Sequence, residues 1–395
     1  MDHTDVLVIG GGVIGVAFAA SLESTGLLVT VIDQGSKPKL KSLVPKGQKI
    51  SALDLDVHPR VSALGLSAWK YLNSFGKSLS GTPYQRMVVI DGEGTGRLKF
   101  SAKELGLGEL GYIVENDQLS AELINNLKRE SNVSFQWNTE LEELEELEDG
   151  YAMKMANNTI HTKLLVGADG TQSKVRKLAN INSYKWTYDQ KGVVAIVETE
   201  LSHDGTAYQW FTKHGILAFL PLAEKNLCSI VLSTKNYDEI MSMDDQAIAD
   251  VLEHLSEGML GKIVGVSTRL TFPILQEHSL RYVDRNLAVI GDAAHTIHPL
   301  AGQGANIGFA DAEDLSQLIK QSCVKGTPFA SREVLTKYQS SRRIDNLCTA
   351  ALMDILARGF SSSHPTAQWL RSEGMKFVNR SGLLKKTIAK LATLR

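Results

Sequence analysis

The chain opens on a short apolar run, residues 5–9, which reads as a buried strand. Three consecutive glycines follow, then an apolar stretch over 12–25 with helical length, and a second apolar run over 28–32 that stops at Asp33. That order predicts a strand, helix, strand unit. A polar, lysine-rich surface loop is expected over 37–48, then a helix ending near Leu72 in which Pro59 is tolerable only in the first turn. Residues 163–166 and 287–290 read as two further buried strands, each running into a glycine-containing turn. From 192 to 272 short apolar segments (193–197, 217–222, 227–232) alternate with polar turns, which predicts an antiparallel sheet. The acidic run 140–149 reads as a solvated hairpin or a helix edge. Helices are expected over 307–320 and from Glu333 onward.

With 395 residues the chain exceeds what one core usually holds, so a large domain with a second lobe is expected. Forty-two basic against 44 acidic residues leave a net charge of -2, which argues against a nucleic-acid partner. Cys228, Cys323 and Cys348 are widely spaced and form no CxxC, so neither a disulfide framework nor a metal site is expected, and a reducing cytoplasm fits. The apolar residues 6–22 are preceded by Asp2 and Asp5 and interrupted by glycines, unlike a secretory signal. No run reaches the ~18 apolar residues of a membrane span, so a soluble or peripheral protein is expected.

Chemistry enters at the first glycine turn. Gly10, Gly12 and Gly15 satisfy GxGxxG directly after a predicted strand, and Asp33 ends the next strand. In that context Gly10 permits a tight turn, Gly12 lets backbone approach a pyrophosphate, and Gly15 lets the helix pack on the sheet. Asp33 can accept hydrogen bonds from an adenosine ribose and would repel a 2′-phosphate, which favours FAD or NAD over NADP. Gly106, Gly108 and Gly111 spell the same pattern without a preceding buried strand or a following acid, and are read as chance. Two more glycine segments follow buried strands: GADG at 167–170 and GDAAH at 291–295. The second runs on through His298, Pro299, Gly302 and Gly304 into a helix start aimed at a ligand.

Together these three motifs resemble the single-component flavin monooxygenases of the para-hydroxybenzoate hydroxylase type. GDAAHTIHPLAGQG at 291–304, with GYIVEN at 111–116 and AFLPL at 218–222, is similar within that group to the ubiquinone-biosynthesis hydroxylases, the UbiH/UbiF/VisC group. The resemblance covers nearly the whole chain, and implies an α/β fold. A Rossmann-like FAD-binding domain (1–72, 111–182, 276–330) would carry an inserted antiparallel β-sheet substrate domain (73–110, 183–275) and C-terminal helices (331–395).

By resemblance, Gly10, Gly12, Gly15 and Asp33 hold the ADP half of FAD, with Asp169 in the second motif. The family's phosphate-side arginine falls on either Lys49 or Arg60, a choice that leans to Lys49 because it leaves room for a full helix. Asn116 lies near the ribityl chain or is structural; Asp292 binds a ribityl hydroxyl or caps a helix. Gly302, Gly304, Ala305 and Asn306 open a helix whose positive end faces the flavin ring, stabilising the reduced anion. Pro299 matches the proline beside the oxygen site, and His298 and His295 are either packing residues or participants in the chemistry.

The resemblance further implies that NADH or NADPH reduces FAD and that molecular oxygen is activated as a flavin hydroperoxide. Its distal oxygen passes to the ring of a polyprenyl phenol or quinol. Tyr208, Trp210, Phe211, Leu217, Phe219 and Leu220 offer either an apolar wall for the prenyl tail or ordinary sheet core. Residues 371–395 carry seven cations against one acid, with Leu384, Ile388 and Leu391 on one helical face. Such a helix either lies on the inner face of an anionic membrane or packs on the body of the protein. A small soluble aromatic substrate, and a non-catalytic flavin-bound role in a biosynthetic complex, are the competing readings.

Overall fold

The computed structural model describes residues 2–23, 25–40, 60–75, 79–155, 158–297, 303–361 and 365–393. Its first sheet is built around Asp2–Ile9, which pairs in parallel with Val29–Ile32 on one side and Asn158–Gly167 on the other. Val133–Gln136 extends the first side and Leu287–Val289 the second, again in parallel. Parallel strands are covered on both faces, hence their continuous apolar runs. Val6, Leu7, Val8, Leu164, Leu165, Val166, Leu287, Ala288 and Val289 are all fully buried.

Register then places the motifs. Ile9 lies opposite both Ile32 and Gly167, and Gly167 lies opposite Val289. The glycine turn, Asp33, the 167–170 segment and the 291–295 segment therefore leave one end of the sheet side by side. This is the carboxyl end, where open α/β sheets bind ligands.

The acidic run 140–149 resolves as a hairpin, Glu143–Leu147 pairing antiparallel with Gly150–Met155. The expected helix ending near Leu72 is shorter than its pattern suggested. Leu66–Asn73 is helical, but Val61–Gly65 is a strand that pairs antiparallel with Gly111–Glu115. A Cβ at Gly111 would sit 2.2 Å from the Leu64 carbonyl oxygen. The last glycine of the second GxGxxG thus serves close strand pairing.

The second large sheet runs in the order His295–Thr296, Leu270–Ser279, Ser183–Thr199, Leu227–Thr234, Gly215–Pro221, Thr206–Thr212, Arg86–Asp91, Arg97–Ser101. It is antiparallel as expected, except that Thr206–Thr212 pairs in parallel with Arg86–Asp91. Helices Tyr237–Ser242 and Asp245–Leu255, missed in the sequence, lie within this lobe. Ile240, Ile248, Ala249 and Leu252 from these helices share a core with Trp210, Leu217 and Phe219. Alternation along the strands divides the supposed prenyl wall. Tyr208, Trp210, Leu217 and Phe219 belong to that core, while Phe211 joins Ile297, Ile307, Ala350 and Met353 in a separate cluster.

Three helices, Arg332–Ser361, Pro365–Arg380 and Gly382–Thr393, complete the described chain. The expected basic helix over 371–395 is therefore two helices, broken at Ser381. Arg371 forms a buried ion pair with Asp91 at 3.2 Å, Lys385 pairs with Glu104 and Lys376 with Glu373. Much of the positive charge in this segment binds the chain itself.

Candidate functional site

The glycine turn is built by close approach. Gly10 has φ +113, and a Cβ there would lie 2.2 Å from the Ala168 carbonyl oxygen; one at Gly15 would lie 2.0 Å from the Gly10 carbonyl oxygen. Both positions exclude a side chain for internal reasons. Gly12 differs: a Cβ there would meet no atom of the described residues within 4 Å. It caps helix Val13–Ser21, whose first turn carries no acid, so its unpaired amides face outward.

Asp33 stands beside this turn. Its Oδ2 accepts the Gly11 amide and its Oδ1 the Gly35 amide, both at 2.6 Å. A carboxylate has about four acceptor sites, so one fixed by two amides can still receive ribose hydroxyls. A Cβ at Gly11 would collide with the ring of Trp137, 2.4 Å away, a neighbour the sequence did not flag.

The second segment is held by its own acid. Asp169 accepts the Ser173 hydroxyl at 2.5 Å and the amides of Lys174 and Val175 at 2.7 and 3.1 Å. Its carboxylate therefore caps helix Lys174–Leu178. Arg176, on that helix, is buried and donates to the Ala293 and Thr171 carbonyls and to Glu277, the last at 2.7 Å. One guanidinium thus joins both later motifs to the antiparallel sheet. No local pattern marks this link, because Glu277 lies 101 positions away.

In the third segment Gly291, at φ +58, lies against Ile14, and a Cβ at Gly308 would meet Ile14 at 3.0 Å and the Gly291 α-carbon at 3.3 Å. Helix Val13–Ser21, the 291–295 turn and helix Gln303–Lys325 therefore converge on one isoleucine. Of residues 291–295 only Asp292 is exposed. Protein atoms nevertheless crowd it, and desolvation raises its carboxyl above the usual range, with Asp311 adding to the effect and His295 opposing it.

Asn116 begins helix Asn116–Asn126, and its amide donates to the Arg60 carbonyl at 3.0 Å. Its Oδ1 is shielded from solvent and has no hydrogen-bond partner among the described residues. Arg60, exposed, is brought beside it. Lys49, the other candidate for the phosphate side, lies outside the described residues, as do His298, Pro299 and Gly302. Asn306 is buried, its amide group accepting from the Gly65 amide at 2.8 Å and donating to the Ala63 carbonyl at 2.9 Å. It fastens the start of helix Gln303–Lys325 to strand Val61–Gly65. Among the described residues Gly304 again leaves no atom within 4 Å of a Cβ, and no acid occupies that helix's first turn.

The arrangement fits FAD on its own terms. Two helix starts without acids, a bare Gly12, a ribose-side carboxylate, the unpartnered oxygen of Asn116 and the crowded Asp292 match a long dinucleotide that is anionic in its middle. Fold and site define a flavoprotein of the Rossmann type. The sequence of the family described as FAD binding domain matches residues 3–346. The chain is 33% identical over 394 residues to the 3-demethoxyubiquinol 3-hydroxylase of Escherichia coli K12, covering 98% of each. It is 31% identical to the ubiquinone hydroxylase UbiL of Rhodospirillum rubrum, over 97% of this chain and 87% of that one. The p-nitrophenol 4-monooxygenase PnpA of Pseudomonas putida superposes with a TM-score of 0.79 at 19% identity, covering 100% of both chains, which speaks to fold alone. This chain belongs to the FAD-binding monooxygenases, in the branch that contains the ubiquinone-biosynthesis hydroxylases. FAD is its cofactor, and it is an FAD-dependent monooxygenase.

Proposed function

We propose that the protein hydroxylates the aromatic ring of a polyprenylated phenol or quinol during ubiquinone biosynthesis, with NADH or NADPH as electron donor and molecular oxygen as co-substrate. The observation that carries this is the near full-length likeness to the 3-demethoxyubiquinol 3-hydroxylase, joined to a site shaped for FAD. Gly10, Gly12, Gly15 and Asp33 hold the ADP half, Lys49 or Arg60 the phosphates, and Asn116 and Asp292 the ribityl chain. Gly304 and Ala305 present a helix start to the ring. Asp169 and Asn306 contribute by fixing the backbone around it. Domain limits near residues 72, 110, 182, 275 and 330 belong to the same reading.

FAD, when bound, supplies the electron chemistry that side chains lack. The chain's own task is positioning and exclusion of water. Phe211, Ile297, Ile307, Ala350 and Met353 form an apolar cluster, and Ile297 directly precedes His298 and Pro299 in the sequence. Phe360 stacks on Phe211 with ring centroids 3.9 Å apart. An apolar surround at that point suits a lipid-like ring substituent and keeps water from the reacting atoms.

Membrane contact through the C-terminal helices belongs to the proposal. Among the described residues no helix is long and apolar enough to cross a membrane. Ile344, Leu347, Leu352, Ile355, Trp369, Leu370, Phe377 and Leu384 are nonetheless exposed within one short stretch of chain, and Arg380 and Lys386 are exposed beside them.

Turnover of a prenylated phenol against an unprenylated one, with labelled oxygen and each nicotinamide, tests the activity. Label in the prenylated product is expected. Product from the unprenylated ring alone would favour the small-aromatic reading. Vesicles of anionic lipid test the surface: Arg380→Glu with Lys386→Glu should lower binding at low salt without releasing FAD.

A further inference from the structure

Behind the exposed Asp292 lies a buried carboxylate that none of the motifs contains. Asp311, on helix Gln303–Lys325, has no solvent exposure. Its Oδ2 accepts the Gly291 amide at 3.1 Å and His295 Nε2 at 2.5 Å. Its Oδ1 accepts Arg342 Nε and Asn346 Nδ2, both at 2.9 Å. Arg342 Nη2 in turn donates to Asn346 Oδ1 at 2.8 Å. Burial opposes the charge on Asp311, but His295, Arg342 and these hydrogen bonds outweigh it and hold the carboxyl below its usual range. The group is an anion with every direction of approach filled by a donor.

Two of those donors are the first and last residues of the 291–295 turn. The backbone between them is pinned at two further points: Arg176 holds the Ala293 carbonyl at 2.9 Å, and the Ser279 amide holds the Ala294 carbonyl at 2.9 Å. Every residue of the turn except Asp292 is therefore tied inward. His295 is 1% exposed and its Nδ1 has no partner among the described residues, so Asp311 is the only hydrogen-bond partner its ring has there. Gly291 starts the turn at φ +58, a conformation that glycine takes freely and a side chain would resist.

We propose that Asp311, acting through His295 and the Gly291 amide, is a positioning residue that aims the Asp292 carboxylate at FAD. The inference rests on the reading above that Asp292 touches FAD. It makes helix Arg332–Ser361, which supplies Arg342 and Asn346, part of the support of the flavin site.

The test is a double-mutant cycle on the full-length protein, read by the FAD dissociation constant, the visible circular dichroism of bound flavin, and the melting temperature of the flavin-free protein. Asp311→Asn and Asp292→Ala should each weaken FAD binding by about tenfold, and the two together should be little weaker than either alone. His295→Leu, which keeps the fold's apolar volume but removes the donor, should reproduce the loss and alter the flavin dichroism. His295→Gln should restore binding to within about threefold, because its amide can still donate to Asp311. Equal weakening by Asp311→Asn in the wild-type and Asp292→Ala backgrounds would overturn the positioning role. So would unchanged affinity and dichroism in His295→Leu. If Asp292→Ala alone binds FAD like wild type, the reading of Asp292 fails first and the proposal falls with it, an outcome distinct from the additive one.

Discussion

Arg176 and Glu277 form a buried ion pair, 2.7 Å apart with both side chains 5% exposed, that joins the second glycine motif to the antiparallel sheet. Ser183 also donates to the same Glu277 oxygen, at 2.6 Å. The antiparallel lobe is thereby fastened to helix Lys174–Leu178, which follows the second glycine motif.

Breaking that pair from one side leaves an uncompensated buried charge. Arg176→Met is expected to lower unfolding free energy by about 3–5 kcal/mol. Removing both charges with Glu277→Leu should cost less than the sum of the single changes. Urea unfolding of the four proteins checks this, and additive losses would show that the pair is not a unit.

The glycines divide by what surrounds them. Gly15→Ala places a methyl 2.0 Å from the Gly10 carbonyl oxygen, so it should cost stability, about 1–3 kcal/mol, whether or not FAD is present. Gly12→Ala meets no atom of the described residues and should leave the flavin-free protein as stable as wild type while reducing FAD retention. Thermal melts with and without FAD separate the two behaviours. A destabilised flavin-free Gly12→Ala would contradict the assignment.

At Asp33, loss of the carboxylate removes two backbone contacts as well as any ribose contact. Asp33→Ala should therefore weaken FAD more than Asp33→Asn, which keeps one acceptor. Each charge-assisted hydrogen bond lost is worth about 1.5–3 kcal/mol. Flavin release followed by fluorescence gives the order, and equal retention by both variants would remove Asp33 from the site.

Burial, with the charges of His295 and Arg343, holds the His278 imidazole down to about 4, against the pull of Asp311. Its unfolded value is about 6.5, so the unfolded chain takes up the proton first. Stability from this group is complete above pH of about 6.5, declines as pH falls toward about 4, and amounts to at most about 3 kcal/mol. Chemical denaturation across that window should show the slope, and His278→Gln should flatten it. A wild-type profile with no slope there would place a charged imidazole in the interior.

How far the residues alone could be read depended on distance along the chain. The turn at Gly10–Gly15 with Asp33 was legible because strand, turn and helix are neighbours and each leaves a periodic or steric signature. Asp169 and Asn306 were recognised as special, but their motifs could not show that their side chains serve the helix at Lys174 and the strand at Val61. The strand Val61–Gly65 was taken for helix because its pairing partner, Gly111–Glu115, lies far off in sequence. Arg371 looked like a free cation for the same reason: its partner is Asp91.

Local order of apolar runs and glycines was enough to predict an adenine-dinucleotide site at a strand–helix junction, and an antiparallel lobe to accompany it. Only the tertiary structure decided which carboxylates face outward and which are consumed within. Asp292 and Asp311 are both acids near one glycine, yet one is exposed and the other wholly buried. Hydrophobic periodicity is written residue by residue. A buried charge is held by donors that arrive from the 291–295 turn and from helix Arg332–Ser361, and their meeting is a property of packing.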